Sequence, residues 1–164
     1  MKKVLLVLAI LASAVYAEDP TDQGLYAGAG FSVMATDDKG DAGLGLSLRA
    51  GIELDSVLKG FGIQAELNKS LSDPENRANR DIDVMTLATY ATFDIEIPNS
   101  KLALRPKIGV ILPNMKDDID SRDVILSSGF GMTYEIESNV RLYADYTVLG
   151  EAISNYSAGI EIKF

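Results

Sequence analysis

Hydrophobic and polar residues alternate along most of the chain after residue 24. A period of two is typical of β-strands whose two faces meet different surroundings. The alternation predicts eight strands, which cover residues 25–33, 44–54, 61–68, 85–95, 102–112, 124–134, 140–148 and 156–164. The connections between them are rich in Asp, Asn, Ser, Gly and Pro, the residues that turns favour.

The two faces of these strands differ sharply in composition. One face carries no charged residue; in the second strand it reads Leu44, Leu46, Leu48, Ala50, Ile52 and Leu54. The other face is polar or small and includes many of the glycines. It holds five basic and five acidic residues, which are Arg49, Arg105, Lys107, Arg141, Lys163, Glu53, Glu66, Asp94, Asp145 and Glu161.

Three features predict that the polar face is the enclosed one. Balanced charges suit an enclosed space, because an unpaired buried charge costs several kcal/mol. Glycines suit the narrow lumen of an eight-stranded barrel, where small residues must alternate with large ones. Aromatic residues of the apolar face fall at strand ends, as in the girdle of a membrane barrel. This girdle consists of Phe61, Phe93, Tyr134 and Phe164 at one rim, with Tyr146 and Tyr156 at the other.

The predicted fold is therefore all-β: an eight-stranded antiparallel up-and-down transmembrane β-barrel with a polar interior, over residues 24–164. Closing the sheet satisfies the backbone groups that lipid cannot satisfy. Pro106 lies inside a predicted strand and removes one backbone donor, so we expect a bulge or a shifted register there.

The first 17 residues follow a different pattern. Lys2 and Lys3 precede an apolar run over residues 4–15, and Ala17 ends the stretch before the polar sequence that begins at Glu18. This order predicts a cleavable signal peptide over residues 1–17, because the apolar run is too short for a spanning helix. Residues 18–23 would form a short N-terminal segment ahead of the barrel.

Composition excludes several kinds of chemistry. The chain has 24 acidic and 15 basic residues, a net charge of −9, no Cys and no His. Thiol catalysis, cysteine zinc sites and imidazole catalysis are excluded, and the negative charge argues against nucleic-acid binding. Acidic clusters in the connections match no calcium-loop spacing, so we predict neither a metal nor a cofactor.

The charged residues of the polar face fall into two predicted layers. Arg49, Glu66, Lys107 and Asp145 would lie near mid-barrel, and Glu53, Asp94, Arg105, Arg141, Glu161 and Lys163 would lie lower. A carboxylate pair such as Asp145 with Glu161 could serve an enzyme, but matching cations favour interior ion pairs. The sequence leaves open which partners pair within a layer.

The C-terminal string SAGIEIKF resembles the assembly signal of bacterial outer-membrane barrels, with Ser157, Gly159, Ile162 and Phe164 at its defining positions. Strings such as GLYAGAGFSV, SSGFGMTYEI and VRLYADYTVLG resemble strands of the small OmpA/OmpX-type barrels, the outer-membrane β-barrel domain family. The resemblance covers residues 24–164. The chain stops at the barrel, so the peptidoglycan-binding domain of full-length OmpA proteins is not expected.

The resemblance implies a Gram-negative outer membrane, contact with its lipid and lipopolysaccharide, and recognition by the barrel-assembly machinery during biogenesis. It identifies no partner for the surface loops. The leading hypothesis is a non-catalytic integral barrel with a structural or surface-interaction role in the envelope. The alternative is a small-solute porin of low conductance. A barrel enzyme that uses carboxylates and a soluble periplasmic binding barrel are two further hypotheses; enzymes of this architecture rely largely on His, which the chain lacks.

Overall fold

The computed structural model describes residues 24–36, 42–71, 84–115, 124–149 and 153–164. Its strands are β1 (Gly24–Thr36), β2 (Gly43–Glu53), β3 (Phe61–Ser70), β4 (Val84–Phe93), β5 (Ile95–Glu96), β6 (Leu102–Met115), β7 (Ile125–Glu137), β8 (Val140–Leu149) and β9 (Ile153–Lys163). Each of the eight predicted segments overlaps one of these strands or, for β4 and β5, a pair of them. Within these ranges, none of the chain forms a helix long and apolar enough to cross a membrane.

The strands close into one antiparallel barrel, which confirms the predicted fold class. Each strand pairs with its neighbours in the chain, and β1 pairs with β9, where Gly30 lies opposite Gly159. β4 and β5 are two pieces of one barrel strand, because both pair with β6. The described strands therefore form a closed eight-stranded barrel, in which every strand has a neighbour on both sides.

The expectation of a bulge or shifted register at Pro106 was wrong. Thr92 pairs with Lys107 and Ile95 pairs with Leu104, so the register is the same on both sides of the proline. The ladder is only interrupted, which separates β4 from β5. The amide of Asp94 faces the other neighbouring strand and donates to the carbonyl of Gly60 at 2.6 Å. The irregularity in register lies elsewhere, between Glu135 and Glu137 on β7.

Alternation along the strands places the apolar face outside. On β2, Leu48 is 52% exposed whereas the adjacent Arg49 is 3% exposed. The same alternation holds along β7 and β8, where large apolar residues are exposed and their polar neighbours are buried. Ile52 departs from the pattern, since it is buried on the outward parity.

The connections at one end of the barrel all lie within the described residues. Turns at one end span residues 54–60, 97–101 and 138–139, and the chain continues past the described ranges at the other end. The first of these turns is held by the Asp55 carboxylate, which accepts the Gly60 amide at 2.7 Å while Gly60 adopts a φ of 81°. In membrane barrels such short turns face the periplasm. The predicted signal peptide (1–17), the segment 18–23 and the acidic connections lie outside the described residues.

Candidate functional site

Four charged side chains form a closed ring of ion pairs inside the barrel, which we call the mid-barrel ring. Asp145 lies 2.8 Å from Arg49, and Lys107 lies 2.9 Å from both Asp145 and Glu66. Arg49 and Glu66, 3.7 Å apart, close the ring. Positive and negative members alternate, and all four side chains are completely shielded from solvent.

The ring spans the lumen because its members come from four separate strands. Arg49 and Glu66 are direct cross-strand partners on β2 and β3. Lys107 extends from β6 and Asp145 from β8, so strands of the opposite wall supply the other half of the ring. Alternation along each strand turns these side chains inward, and the register brings them to one level.

Neutral side chains complete the coordination of Glu66. One of its oxygens accepts a hydrogen bond from Asn68 at 2.8 Å, and the other accepts one from Gln64 at 3.0 Å. Arg49 also donates to Ser157 at 3.3 Å. Glu66 therefore accepts hydrogen bonds from two neutral side chains in addition to its contacts with cations.

A second layer of ion pairs lies nearer the short turns, which we call the lower network. Arg105 contacts Asp94 at 2.5 Å and Glu161 at 2.9 Å, and Arg141 contacts Glu161 at 2.9 Å. Glu53 pairs with Arg141 at 2.6 Å and with Lys163 at 2.7 Å. Arg49 joins the two layers, since its Nη1 lies 3.3 Å from Glu161.

All ten charged residues singled out from the sequence thus take part in ion pairs, in the two groups expected. The partners themselves come from the structure alone. Below the lower network, a cavity of about 690 Å³ opens at the short-turn end and is bordered by Glu53, Asp94, Arg141 and Lys163. Polar groups of the lower network therefore line a vestibule, and the lower network and the mid-barrel ring beyond it close this vestibule from above.

Sequence reasoning missed three interior tyrosines. Tyr26, Tyr90 and Tyr143 are each 3% exposed or less. Each lies directly opposite a glycine of the neighbouring strand, in the pairs Tyr26–Gly51, Tyr90–Gly109 and Tyr143–Gly159. The signal was present in the sequence, because each tyrosine falls on the polar parity of its strand and its glycine partner does too.

The tyrosines also pack against the cations of both layers. The guanidinium carbon of Arg49 lies 3.4 Å from the ring centroid of Tyr143, and the ammonium of Lys107 lies 4.8 Å from that of Tyr90. Arg105 and Arg141 approach the ring of Tyr26 at 5.3 and 5.2 Å. Cation–π contacts therefore orient the charged side chains in addition to their carboxylate partners.

The half of the lumen above the mid-barrel ring is lined mostly by uncharged polar residues, and also by the buried side chains of Met34 and Ile111. Buried side chains there are Ser32, Ser47, Asn68, Thr86, Ser127, Thr147 and Asn155. Several of their polar atoms have no protein partner among the described residues, including both amide atoms of Asn155. Buried polar groups of this kind are normally satisfied by ordered water.

The predicted girdle lies on the outer surface, whereas the residues of the predicted assembly signal are divided between the lumen and the outer surface. Phe61 lies opposite Phe93, and the rings of Tyr146 and Tyr156 stand 5.0 Å apart. These side chains, with Tyr134 and Phe164, lie on the outward parity; Phe31 and Phe130 are two exposed aromatic residues that the predicted girdle omitted. Within the C-terminal string, Ser157 is buried in the lumen and Gly159 lies on the inward parity, whereas Ile162 and Phe164 are exposed outside.

The acidic side chains of the two layers are engaged in ion pairs. Among the described residues, no group of three or more Asp and Glu side chains is placed to hold a metal ion. Asp145 and Glu161, the carboxylate pair considered from the sequence, are each engaged by arginines. What the site does provide is a neutral, cross-linked barrier across the lumen.

Comparison with known families identifies one match. The sequence profile described as outer membrane protein beta-barrel domain matches residues 4–162. Comparison with curated proteins gave no match by sequence.

Solved structures share the fold at low sequence identity. Neisserial surface protein A is 16% identical, with a TM-score of 0.58, and the match covers 87% of this chain and 97% of that one. The attachment invasion locus protein of Yersinia pestis is 16% identical, with a TM-score of 0.55 and the same coverage. OprG from Pseudomonas aeruginosa is 12% identical, with a TM-score of 0.59, and 86% of this chain and 95% of that one are covered.

Proposed function

Because the chain belongs to the outer membrane protein β-barrel domain family, and is therefore located in the bacterial outer membrane, we propose that it is a non-catalytic integral barrel with a closed lumen. Its role would be to contribute to the structure of the envelope or to present its outer connections to partners. The observation that carries this proposal is the mid-barrel ring, in which Arg49, Glu66, Lys107 and Asp145 cross-link opposite walls.

The absence of catalysis is supported by the state of the carboxylates. A general base must be free to accept a proton from substrate. Glu66 and Asp145 are instead committed to cations, and the sequence offers no His or Cys to replace them. Enzymatic turnover of a labelled lipid or peptide that is lost in Asp145→Asn would contradict this part of the proposal.

Planar-bilayer recording of the refolded protein tests the closed lumen. The wild-type barrel should insert without stable conductance steps, because ten charged side chains in so narrow a lumen leave no continuous path. Insertion is verified independently by the difference in gel migration between unheated and boiled samples. Stable steps in the wild-type protein whose size depends on the solute would overturn the proposal.

A small-solute channel of low conductance is the second candidate. It is favoured by the uncharged polar lining above the ring and by the vestibule of about 690 Å³ below it. Rearrangement of the mid-barrel ring together with the lower network would join these two spaces. The same recording distinguishes the two functions, since a channel that opens spontaneously gives steps without any substitution.

The charge of the chain limits the chemical class of partner that its outer connections can bind. The Yersinia pestis attachment invasion locus protein has been solved in complex with the heparin analogue sucrose octasulfate. The present chain carries a net charge of −9, and its connections at 37–41, 73–83 and 117–123 are rich in Asp. We therefore propose partners that are cationic or uncharged, since sulfated polyanions would be repelled.

A further inference from the structure

The vestibule at the short-turn end of the barrel contains a hollow in its wall. The vestibule measures about 690 Å³ and opens toward the periplasm, because the short turns of membrane barrels face that side. Ala103 on β6 and Thr133 on β7 are direct cross-strand partners, and both line the cavity. The neighbouring inward positions of β6 carry the long side chains of Lys101 and Arg105. The short side chains of Ala103 and Thr133 therefore leave space at this part of the wall.

A positive and a negative group stand side by side at the periplasmic edge of this hollow. The amide of Glu135 donates to the carbonyl of Lys101 at 2.9 Å, so the two residues are neighbours on adjacent strands. Both residues line the vestibule, and both are exposed. Side chains that face each other across two strands have Cβ atoms about 4.5 to 5.5 Å apart. The ammonium and the carboxylate are thus presented together to solutes of the periplasm.

Neither of these two groups is committed to an ion pair within the part of the chain that the structure describes. The Lys101 ammonium donates to the Ile136 carbonyl at 3.2 Å, and no described cation lies within ion-pair distance of the Glu135 carboxylate. Arg141 is the cross-strand partner of Glu135, but its guanidinium contacts Glu53 at 2.6 Å. A ligand can therefore contact Lys101 and Glu135 without breaking an existing ion pair.

The other carboxylates of the vestibule differ from Glu135, because each has a partner. They are Glu53 and Asp94 in the lower network, Glu96 in its pair with Lys59, and Asp55, which accepts the Gly60 amide. The described lining therefore offers one free charge of each sign. A simple cation would be attracted by Glu135 and repelled by Lys101, and the reverse holds for a simple anion. A ligand that carries both signs would satisfy both groups.

We propose that the vestibule binds dipeptides, with the α-ammonium on Glu135 and the terminal carboxylate on Lys101. The two termini of a dipeptide lie on different α-carbons, about 3.8 Å apart, which suits charged groups on neighbouring strands. A free amino acid carries both charges on one carbon, so it would span the two groups less well. The side chains of the dipeptide would occupy the hollow over Ala103 and Thr133. Ligand pockets measure about 300 to 1,000 Å³, so a cavity of about 690 Å³ accommodates a molecule of this size.

Equilibrium dialysis of radiolabelled L-alanyl-L-alanine against the refolded protein in detergent micelles tests the proposal. The wild-type protein should bind this dipeptide, and free L-alanine, N-acetyl-dialanine and dialanine amide should each bind several-fold more weakly. The N-acetyl derivative lacks the ammonium that Glu135 would contact, and the amide lacks the carboxylate that Lys101 would contact. Competition with the labelled dipeptide gives the dissociation constants.

Substitutions at the two charged residues assign each contact. Glu135→Gln should weaken the binding of dialanine several-fold and leave the affinity for N-acetyl-dialanine unchanged, because that derivative has no ammonium to lose. Lys101→Gln should do the same for dialanine and dialanine amide. Such a comparison isolates one contact in the manner of a double-mutant cycle. Both residues are exposed, so both variants should fold, and gel migration of unheated samples verifies this.

Two charged residues outside the vestibule provide matched controls. Glu137→Gln removes an exposed carboxylate from the same strand as Glu135, and Lys69→Gln removes an exposed ammonium near the other end of the barrel. Neither substitution should change the affinity for dialanine. Ala103→Val, which fills the hollow, should lower this affinity, whereas Ala91→Val, at an exposed outward position on β4, should not.

A folded wild-type protein that does not bind dialanine would overturn the proposal, as would equal affinities for dialanine and N-acetyl-dialanine. An effect of Glu137→Gln as large as that of Glu135→Gln would also overturn it, and so would free alanine that binds as tightly as dialanine. The inference goes beyond the proposed function, because it concerns only the periplasmic end of the barrel. Conductance through the lumen would contradict the closed barrel without changing the dialysis result.

Discussion

Arg49 and Asp145 pair across the lumen at 2.8 Å, although two other strands separate β2 from β8 in the sheet. Both side chains are completely shielded from solvent. A buried ion pair of this kind connects distant strands of the wall, so its loss should destabilise the whole barrel. Removing one partner also leaves the charge of the other partner buried and uncompensated, and this is the more costly consequence.

We therefore expect Asp145→Asn to lower the free energy of unfolding by about 3 to 5 kcal/mol, the usual effect of removing one partner from a buried pair. Urea unfolding of the refolded protein in bilayers, followed by gel migration, measures the change. The double variant Arg49→Met with Asp145→Leu should recover most of the loss, since it removes both charges together. A double variant less stable than Asp145→Asn would contradict this reasoning.

The exposed pair of Lys59 and Glu96 serves as a control for ion pairs in general. Its side chains are 80% and 72% exposed, and the two groups lie 3.2 Å apart. Solvent screens such a pair, so Lys59→Ala should change the free energy of unfolding by less than about 1 kcal/mol. A large effect there would mean that ion pairs at the turns, rather than those in the lumen, hold the barrel together.

Neutralising one member of the mid-barrel ring should give any ion current a selectivity that depends on the charge that remains in the ring. In Lys107→Ala, the Glu66 and Asp145 carboxylates lose their shared cation, so any current should favour cations. In Glu66→Gln, Arg49 and Lys107 retain excess positive charge, and the current should favour anions. Reversal potentials under a salt gradient give the sign, and the same selectivity in both variants would show that the ring does not line the path.

Gly51 and Gly109 each lie opposite an interior tyrosine, but a side chain added at the two positions would meet different atoms. At Gly51, the nearest atoms to an added Cβ would all belong to the phenol of Tyr26, with Cε1 at 2.7 Å. At Gly109, the added Cβ would meet the backbone of Thr89 and Tyr90. Overpacking typically costs about 1 to 3 kcal/mol, so both alanine variants should be destabilised.

The difference appears in double variants. Tyr26→Ala should relieve part of the cost of Gly51→Ala, because it removes the atoms in conflict. Tyr90→Ala should not reduce the destabilisation caused by Gly109→Ala, since the conflict with the backbone remains. Unfolding in urea for each single and double variant gives the coupling free energy, and equal coupling at both sites would contradict the assignment.

Much of the fold was predictable because the alternation of polar and apolar residues over eight segments is compatible with few folds. Leu44, Leu46 and Leu48 share a face with no charged residue, and closure follows once that face must meet lipid. The grouping of charges into two layers was also predictable, since it needs only strand direction and approximate position. The individual partners were not, because contacts such as Arg49–Glu161 depend on strand tilt and on the rotamers of long side chains.

Two details of the wall escaped prediction for related reasons. The donor lost at Pro106 predicts a bulge or a shifted register, but the neighbouring strand only interrupts its ladder between Thr92 and Ile95 and keeps its register. The interior tyrosines were not predicted, although each falls on the polar parity of its own strand. Their glycine partners lie on neighbouring strands, so the pairing is visible only when the register is known.

The last prediction concerns Phe164, which the C-terminal motif assigns to recognition by the assembly machinery. Its side chain is 79% exposed, and the residue is tied to the barrel by its amide, which donates to the Leu25 carbonyl at 2.8 Å. Phe164→Ala retains that hydrogen bond and removes little packing, so the free energy of unfolding should change by less than about 1 kcal/mol. The amount of folded protein in the outer membrane of expressing cells should nevertheless fall several-fold.

Phe31→Ala is the matched control, because Phe31 is 74% exposed but lies on β1, away from the C-terminus. If both variants accumulate normally, or both are depleted alike, Phe164 acts as an ordinary lipid-facing residue and the assignment to assembly fails.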